Sequence, residues 1–312
     1  MKALIIGDIH LRTTGRNIVV DDLPVDGYDI VIAIGDVIDE NIDHAKSAEA
    51  GERYETKGRA FFEALNERGK PVVAVPGNHD PLACTERLTE GLSNIEVLHK
   101  TTYEVPETIT GTEDRLTIAG WGCETFDFTP AIPAPEYPTI APAQFDSHEV
   151  TPGEIATYIE TRTARYLAGI DDFETLEAAF IETPTGNSTT LQLFTERIEL
   201  LEERFETVCE IMNQAQNRVV LCSHVSPYGV PFDKRSKHAH DGQYHFGSLA
   251  LKLAILETAP LGVISGHTHQ EGLTGTETSN GYTYLYNPGA PGVATLEVDA
   301  NGTFITESVP IE

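Results

Sequence analysis

The sequence predicts an α/β fold, and three observations lead to that prediction. Short β-branched apolar runs recur along the chain, and runs of this kind suit strands that are buried on both faces. Between some of these runs lie segments typical of helices, at about 45–69 and 247–258. At 312 residues the chain can also bury a large core, as one big domain or two small ones.

The predicted strands are eight apolar runs. They lie at 3–6, 29–34, 71–75, 116–120, 218–222, 261–265, 282–286 and 293–298. The region at about 126–216 differs, because a proline-rich stretch leads into two helical stretches that the breaker cluster TPTGNSTT at 183–190 separates. We therefore predict one domain over residues 1–312, interrupted by a proline-rich and helical insertion at about 126–216.

The second helical stretch of the insertion carries an apolar seam. Its residues step by three and four: Leu191, Phe194, Ile198, Leu201, Phe205, Val208 and Met212. The seam packs either on the preceding helix, through Ile155, Ile159 and Tyr166, or on a second copy of the chain as a coiled coil, which would make a homo-oligomer. We favour the helical hairpin, because a coiled coil needs about three to four heptads with charge pairing beside the seam.

Acidic side chains dominate the composition. The chain has 49 acidic and 21 basic residues, a formal net charge of -28. Because the acid is spread along the whole chain, we favour adaptation to concentrated salt over a surface that attracts a basic partner or repels anions. The composition resembles that of a haloarchaeal protein or of a virus of such a host. The acidic segment 101–217 is also a poor surface for duplex nucleic acid.

Several features of the sequence bear on the cellular compartment of the protein. No segment approaches the roughly 20 apolar residues of a membrane span, so we expect no membrane partner. The apolar run after Lys2 is too short for a signal peptide. The cysteines are far apart and form no C-x-x-C pair. We expect a cytoplasmic protein without disulfides.

Five of the predicted strands end in short polar motifs. The motifs are GDIH (7–10), GDVID (35–39), GNHD (77–80), SH (223–224) and GHTH (266–269). In four of them a glycine gives the chain room to turn. Ligands of α/β sheets bind beyond the carboxyl ends of the strands. We therefore expect the five motifs to converge on one edge of the core.

A metal centre explains these residue types better than turn chemistry does. A single D-x-H turn is more often a cap, but five such strand ends in sequence are hard to explain in that way. A buried aspartate is unfavourable unless it is paired or bound to metal, and these positions offer little arginine or lysine. Nitrogen and oxygen donors without thiolate suit Mn, Fe, Zn or Ni. There are too many donors for one ion, whereas two ions that share a carboxylate would use them all.

The five motifs, in this order, resemble the motif set of the calcineurin-like metallophosphoesterases. The resemblance covers residues 1–123 and 217–312 and leaves the insertion at 126–216 uncovered. It implies a β-sandwich of mixed sheets flanked by helices. It also implies hydrolysis of phosphate esters, as a phosphodiesterase or a phosphomonoesterase, by in-line attack of a hydroxide that bridges two divalent ions, with manganese as the expected metal.

The resemblance further implies a role for each motif residue. The metal ligands would form two groups that share a bridging carboxylate: Asp8, His10 and His269 in one, Asn78, His224 and His267 in the other, and Asp36 between them. His79 would stabilise the transition state or protonate the leaving oxygen, and Asp80 would orient the His79 imidazole. Asp39 would either support the site from outside or cap the following helix.

The substrate is less closely defined by the sequence. We expect a small phosphate ester rather than duplex nucleic acid. The basic, histidine-rich stretch at 234–245 either contacts a substrate phosphate or is a solvated loop. A nuclease of the same family is one alternative. A non-catalytic, metal-binding scaffold for protein interactions is another, although such scaffolds have typically lost the counterpart of His79 or some of the metal ligands.

Overall fold

The computed structural model describes most of the chain. The described residues are 1–39, 47–110, 115–124, 143–145, 148–150, 152–183, 188–215, 218–233, 246–279, 281–299, 302 and 304–310. The strands are β1 Lys2–Gly7, β2 Ile30–Ala33, β3 Val72–Ala74, β4 Ile95–Val97, β5 Thr101–Val105, β6 Leu116–Trp121, β7 Ala143–Phe145, β8 His148–Val150, β9 Arg218–Ser223, β10 Gly262–Ser265, β11 Glu271–Thr278, β12 Gly281–Pro288, β13 Gly292–Val298 and β14 Phe304–Ser308. The helices are α1 Ala48–Glu67, α2 Leu82–Thr89, α3 Glu107–Thr110, α4 Pro152–Leu167, α5 Phe173–Ile181, α6 Ser188–Gln214 and α7 Leu249–Thr258.

Two mixed sheets of six strands form the core. The first has the order β14-β13-β1-β2-β3-β4. Strands β1 to β4 are parallel to one another, β13 pairs antiparallel with β1, and β14 pairs antiparallel with β13. The second has the order β11-β12-β10-β9-β6-β5, with four parallel strands between two antiparallel edge strands. The α/β sandwich of mixed sheets flanked by helices that the sequence predicts is thereby confirmed.

Apolar side chains fill the space between the two sheets. Ile5 and Ile32 of the first sheet share one buried cluster with Val220 and Ile264 of the second. The opposite face of the first sheet packs on α1 and α2, and that of the second sheet packs on α6 and α7. Central strands are therefore covered on both faces, which is why β1 and β2 are continuous apolar runs in the sequence.

All eight predicted strands are confirmed to within one or two residues at their ends, and α1 and α7 correspond to the two predicted helices. The sequence does not reveal β4, β5, β7, β8, β11 and β14. Of these, β4, β5, β11 and β14 are the edge strands of the two six-stranded sheets and expose many of their side chains, so they lack the apolar runs of central strands.

The described part of the insertion contains three helices where the sequence predicts two. The first predicted stretch divides into α4 and α5 at Gly169, whose φ of 66° is left-handed. Asp172 then caps α5, since its side chain accepts a hydrogen bond from Thr175 N at 2.9 Å. Most of the proline-rich stretch lies outside the described residues.

The apolar seam of α6 is covered within the chain. Phe194, Ile198 and Leu201 pack with α5 and α7, and Val208 and Met212 pack on the second sheet. Tyr166 of α4 donates to the carboxylate of Glu202 on α6 at 3.2 Å, while the side chains of Ile155 and Ile159 lie outside the described residues. The seam of α6 therefore packs mainly on α5, α7 and the second sheet. A homo-oligomer through the helical insertion stays a prediction.

Among the described residues, no helix combines the length and the apolar character that crossing a membrane requires.

Candidate metal centre

The five polar motifs meet at one edge of the sandwich. GDIH, GDVID and GNHD follow β1, β2 and β3 of the first sheet, whereas SH and GHTH follow β9 and β10 of the second. Backbone hydrogen bonds join neighbouring motifs, as from Asp8 N to Gly35 O at 3.1 Å and from Gly266 N to His224 O at 3.0 Å. The convergence follows from parallel strands that end at the same edge.

The first group of donors comprises Asp8, His10, Asp36 and His269. One donor atom from each lies within 4.8 Å of the others. The Nε2 atoms of His10 and His269 are 2.9 Å apart, and Asp8 Oδ1 is 3.5 Å from His269 Nε2.

The second group comprises Asp36, His224 and His267, whose donor atoms also lie within 4.8 Å of one another. Asn78 Oδ1 joins this group, at 2.9 Å from both His224 Nε2 and His267 Nδ1. Asp36 is common to both groups, and its Oδ2 atom is 3.3 Å from His224 Nε2 and 3.9 Å from His10 Nε2. The structure therefore brings together all seven predicted ligands, in the two sets that the resemblance implies.

Left-handed backbone conformations are concentrated at these residues. Of the seven described non-glycine residues with positive φ, five belong to the predicted ligands: Asp8, His10, Asp36, His267 and His269. Each such conformation costs on the order of 1–3 kcal/mol and persists only where the surroundings hold it in place. The strain indicates that the motif loops are shaped to position side chains.

The motif glycines permit close approach more often than they permit a turn. Gly35 is left-handed, with φ of 90°. Gly77 and Gly266 are not, but a Cβ atom on Gly77 would lie 2.2 Å from Asp36 N, and one on Gly266 would lie 2.4 Å from Asp8 Oδ2. The prediction that glycine gives room to turn therefore needs correction, because at these two positions glycine lets neighbouring loops touch.

Backbone groups fix the orientation of several ligands. His224 Nδ1 donates to Ile34 O at 2.8 Å, which leaves its Nε2 atom directed at the second group. Asp8 accepts from His267 N at 3.0 Å, and Asp36 Oδ1 accepts from His79 N at 2.8 Å.

His79 lies beside both groups and belongs to neither. Its Nε2 atom is 4.0 Å from Asp36 Oδ2, and its ring centroid is 5.0 Å from that of His10. Its Nδ1 atom donates to the backbone carbonyl of Asp39 at 2.5 Å. This bond directs Nε2 towards the centre, as a proton donor to a bound substrate requires.

Asp80 has a different position from the one predicted. Its carboxylate accepts hydrogen bonds from Asp36 N and Gly77 N at 2.9 Å and from Val37 N at 2.7 Å. Within the described part of the chain, no hydrogen bond joins it to the His79 ring. Burial and the charge of Asp36 raise the pKa of Asp80 to about 6. The prediction that Asp80 orients His79 is corrected: Asp80 ties together the GDVID and GNHD loops.

Asp39 supports the site from outside the two donor groups. Its Oδ1 atom is 3.6 Å from His10 Nδ1, and its carbonyl accepts from His79. The N-cap of α1 is Ser47, which accepts from Ala50 N at 3.2 Å. Of the two roles that the sequence left open for Asp39, support of the site is therefore the one that the geometry favours.

Asn287 is a site residue that the ligand motifs do not reveal. It is fully buried, and its Nδ2 atom donates to Gly266 O at 2.9 Å and to Thr268 Oγ1 at 3.1 Å. Its Oδ1 atom accepts from Gly289 N at 2.9 Å. These hydrogen bonds fix the loop that carries His267 and His269. Its only sequence signal is its place in YNPG, at the end of an apolar run.

Several ionisable side chains of the candidate metal centre are buried next to one another. Burial alone would raise the pKa of Asp36, but the imidazoles of His224, His79 and His10 hold it well below its usual value. Burial alone would lower the pKa of His224, but the charge of Asp36 and the hydrogen bond with it raise it to about 10. Without a cation, Asp36 and His224 therefore form an ion pair. Coordination of a cation by His224 would release its proton.

The donor set fits two metal ions. Ligands at adjacent corners of an octahedral ion, about 2.1 Å from it, are about 3.0 Å apart. The donor separations of 2.9 Å between His10 and His269 and between Asn78 and His224 match that value. Two Nε2 atoms that face each other share at most one proton, so a cation between them satisfies both lone pairs. Seven donors with one shared carboxylate supply four ligands to each ion.

Comparison with known proteins agrees with this geometry. The family model described as calcineurin-like phosphoesterase matches residues 1–271. Comparison with curated proteins gives no match. One solved crystal structure aligns with 99% of this chain and 99% of its own, at 17% identity and a TM-score of 0.51, which supports the fold alone.

Two further solved structures are similar at lower scores. The sulfate thiohydrolase SoxB of Thermus thermophilus aligns with 90% of this chain and 39% of its own, at 13% identity and a TM-score of 0.41. The phosphopantetheinyl hydrolase of Mycobacterium tuberculosis aligns with 93% of this chain and 90% of its own, at 16% identity and a TM-score of 0.37. TM-scores below 0.5 support no inference about this chain.

Proposed function

This chain belongs to the calcineurin-like phosphoesterase family, and on that premise we propose that it hydrolyses phosphate esters with two divalent metal ions. One observation carries the proposal. Two groups of donor atoms share Asp36, and the imidazole of His79 lies within 4.0 Å of the same carboxylate without belonging to either group. Two ions in such a site stabilise the attacking and leaving oxygens when a P–O bond is cleaved, and a proton donor beside them assists the departure of the leaving oxygen.

The chain's own residues have separate tasks in this reaction. Asp8, His10 and His269 would hold one ion, Asn78, His224 and His267 the other, and Asp36 both. The ions, when bound, would lower the pKa of a coordinated water and offset the charge of the phosphate. His79, oriented by the Asp39 carbonyl, would in its protonated form donate a proton from Nε2 to the leaving oxygen and become neutral.

The proposed substrate is a small phosphate monoester or diester. A long polyanion would have to approach a chain with a net charge of -28, which disfavours duplex nucleic acid. Manganese is the proposed metal, with iron, zinc or nickel as substitutes that the same nitrogen and oxygen donors accept. A cytoplasmic location and adaptation to high salt complete the proposal, and the spread of acidic residues supports the second.

The experiment is a side-by-side assay of an aryl phosphate diester, an aryl phosphate monoester and single-stranded DNA. The purified protein would be loaded with Mn²⁺ and assayed from low to molar salt. We expect hydrolysis of at least one aryl ester, and the preferred one assigns the ester class. Faster cleavage of DNA would establish the nuclease instead. No turnover with Mn²⁺, Fe²⁺, Zn²⁺ or Ni²⁺ in a protein that binds two ions would favour the non-catalytic scaffold.

A further inference from the structure

A cavity of about 140 Å³ lies between the end of β6 and the helix α6. Two of its lining residues connect it to the ligand loops. Val225 directly follows the ligand His224, and Trp121 is paired with Ser223, the residue before that ligand. The cavity thus lies at the same edge of the sandwich as the seven donors.

The backbone of this wall is also tied to the GNHD loop. Cys123 N donates to Pro76 O at 3.0 Å, and a Cβ atom on Gly122 would lie 2.5 Å from the same carbonyl oxygen. Because Pro76 precedes the GNHD motif, the cavity wall and the loop of Asn78 and His79 are in direct contact.

Polar groups on the β6 side of the cavity are held in a fixed arrangement. Glu124 forms an ion pair with Lys100 at 2.5 Å and a hydrogen bond with His99 Nε2 at 3.1 Å. His99 Nδ1 accepts from Gly122 N at 3.2 Å. Lys100 has a φ of 56° and is one of only two described non-glycine residues outside the metal centre with left-handed backbone. This wall is therefore preorganised in the way that functional loops are.

The helix α6 supplies the opposite wall. Leu200, Glu203, Arg204 and Thr207 line the cavity from positions three and four residues apart. This face of α6 is distinct from its buried apolar seam, so the insertion has one face for packing and another for the cavity. Arg204 is one of two arginines in a helix that carries six glutamates, and it faces the cavity.

The charges on the two walls of the cavity limit which chemical groups could bind there. Lys100 and Arg204 are balanced by Glu124 and Glu203, so the cavity is formally neutral in a chain of charge -28. An additional anionic group would meet two carboxylates as well as two cations. An alkyl group would desolvate all four charges without hydrogen bonding to them, which is unfavourable.

A polar aromatic ring suits both the apolar and the charged residues that line the cavity. A cavity of about 150 Å³ holds a ring of the size of benzene. Trp121, Leu200 and Val225 offer apolar contact, and cations beside a ring are attracted to its π-system. Hydrogen-bonding substituents on the ring would pair with the charged groups.

We propose that this cavity is the subsite for the leaving group of the phosphate ester, and that it binds one aromatic ring with hydrogen-bonding substituents, such as a pyrimidine base. The proposal rests on the proposed function, because the reacting phosphate must lie at the adjacent metal centre. It assigns a role in substrate recognition to the insertion, through α6.

Trp121 allows direct measurement of binding, because it is the only tryptophan in the chain. The full-length protein would be titrated with uridine, and with ribose as the control that lacks the base, while tryptophan fluorescence is recorded. We expect a saturable change with uridine and none with ribose. Arg204→Met and Thr207→Phe should weaken uridine binding about tenfold or more, whereas Arg197→Met, on the same helix but not at the cavity, should not.

A specificity ratio tests the link to catalysis. The ratio of kcat/KM for phenyl phosphate to that for methyl phosphate would be measured by phosphate release. The intrinsic difference in reactivity between the two esters is the same for every variant, so changes in the ratio report recognition of the ring. The ratio should fall about tenfold in Arg204→Met and stay constant in Arg197→Met.

The two proposals can fail separately. A protein that hydrolyses both esters but shows no fluorescence response to uridine, or an equal ratio in Arg204→Met and Arg197→Met, would overturn the subsite. If neither of these monoesters nor an aryl phosphate diester were hydrolysed, the proposed function would fail. Saturable uridine binding that depends on Arg204 would then still support a ring-binding cavity, and its absence would overturn that as well.

Discussion

The two donor groups share Asp36 but differ in their surroundings. In the first group the side chain of His269 is 31% exposed and that of His10 is 13% exposed. In the second group His224 is fully buried, and Asn78 and His267 are nearly so. The two histidines of the first group are therefore partly open to solvent, whereas the ligands of the second group are buried. Ligand deletion should separate catalysis from stability in the first group and couple them in the second.

Asp36→Asn should have the largest effect, because it acts on both groups together. The amide keeps the shape of the side chain and an oxygen for His79 N, but it loses the charge that two ions share. We expect loss of both metals and of nearly all activity, measured by metal analysis and by hydrolysis of an aryl ester. Asp26→Asn, which removes an exposed carboxylate 3.6 Å from Arg68, is the matched control. A variant that kept two ions and its rate would contradict a bridging role.

His79→Ala should come next and should leave both groups intact. His79 is outside each donor group, so we expect two bound ions per chain and a fall in kcat of about 10²–10⁴. Metal analysis and initial rates on the same sample give both values. An empty metal position in this variant would show that His79 is a ligand and that the assignment of roles is wrong.

Two single substitutions, one in each donor group, test whether the difference in burial affects stability. His224→Ala leaves the carbonyl of Ile34 without its hydrogen bond and opens a buried cavity, which should lower the free energy of unfolding by about 2–4 kcal/mol. His269→Ala removes a partly exposed ring and should lower it by less than about 1 kcal/mol. Urea unfolding of the two metal-free variants measures both. Equal losses of stability would show that the two groups are not differently built into the fold.

Asn287→Ala should have the smallest effect of the four and should act through the GHTH loop. Loss of the hydrogen bonds to Gly266 and Thr268 should lower metal affinity about 10–100-fold. Asn287→Asp keeps the acceptor for Gly289 N but loses both donors, so it should be equally impaired. Metal titration measures the affinity. Normal affinity in Asn287→Asp would mean that the donors do not position the histidines.

The sequence predicts the central strands because burial on both faces requires continuous apolar runs. It fails at β11 and β14, whose side chains are exposed at sheet edges and leave no such run. It also predicts two helical stretches in the insertion where Gly169 and Asp172 create three helices. For the edge strands the missing information is which neighbour covers a segment, whereas the break between α4 and α5 has a local signal, Gly169 followed by the Asp172 cap, that the prediction did not use.

At the candidate metal centre, too, part of the arrangement is predictable from the sequence and part is visible only in the structure. The identity of the seven predicted ligands follows from motifs at strand ends, whereas their division into two groups is what the family resemblance implies, and the structure places these residues together. The positions of Asp80 and Asn287 do not follow, because a carboxylate or an amide next to a motif can accept or donate to any nearby backbone group. Only the packed loops show that Asp80 binds backbone N–H groups and that the Asp39 carbonyl holds His79.

The sequence by itself determined the α/β core and the chemistry of the donors, since apolar runs and the polar residues that end them are local properties. The tertiary structure decided which donors share a carboxylate, which are buried, and which face of α6 lines the cavity. These are contacts between residues as far apart as the 259 positions from His10 to His269. Contacts of that kind depend on how the two sheets pack, which local sequence does not encode.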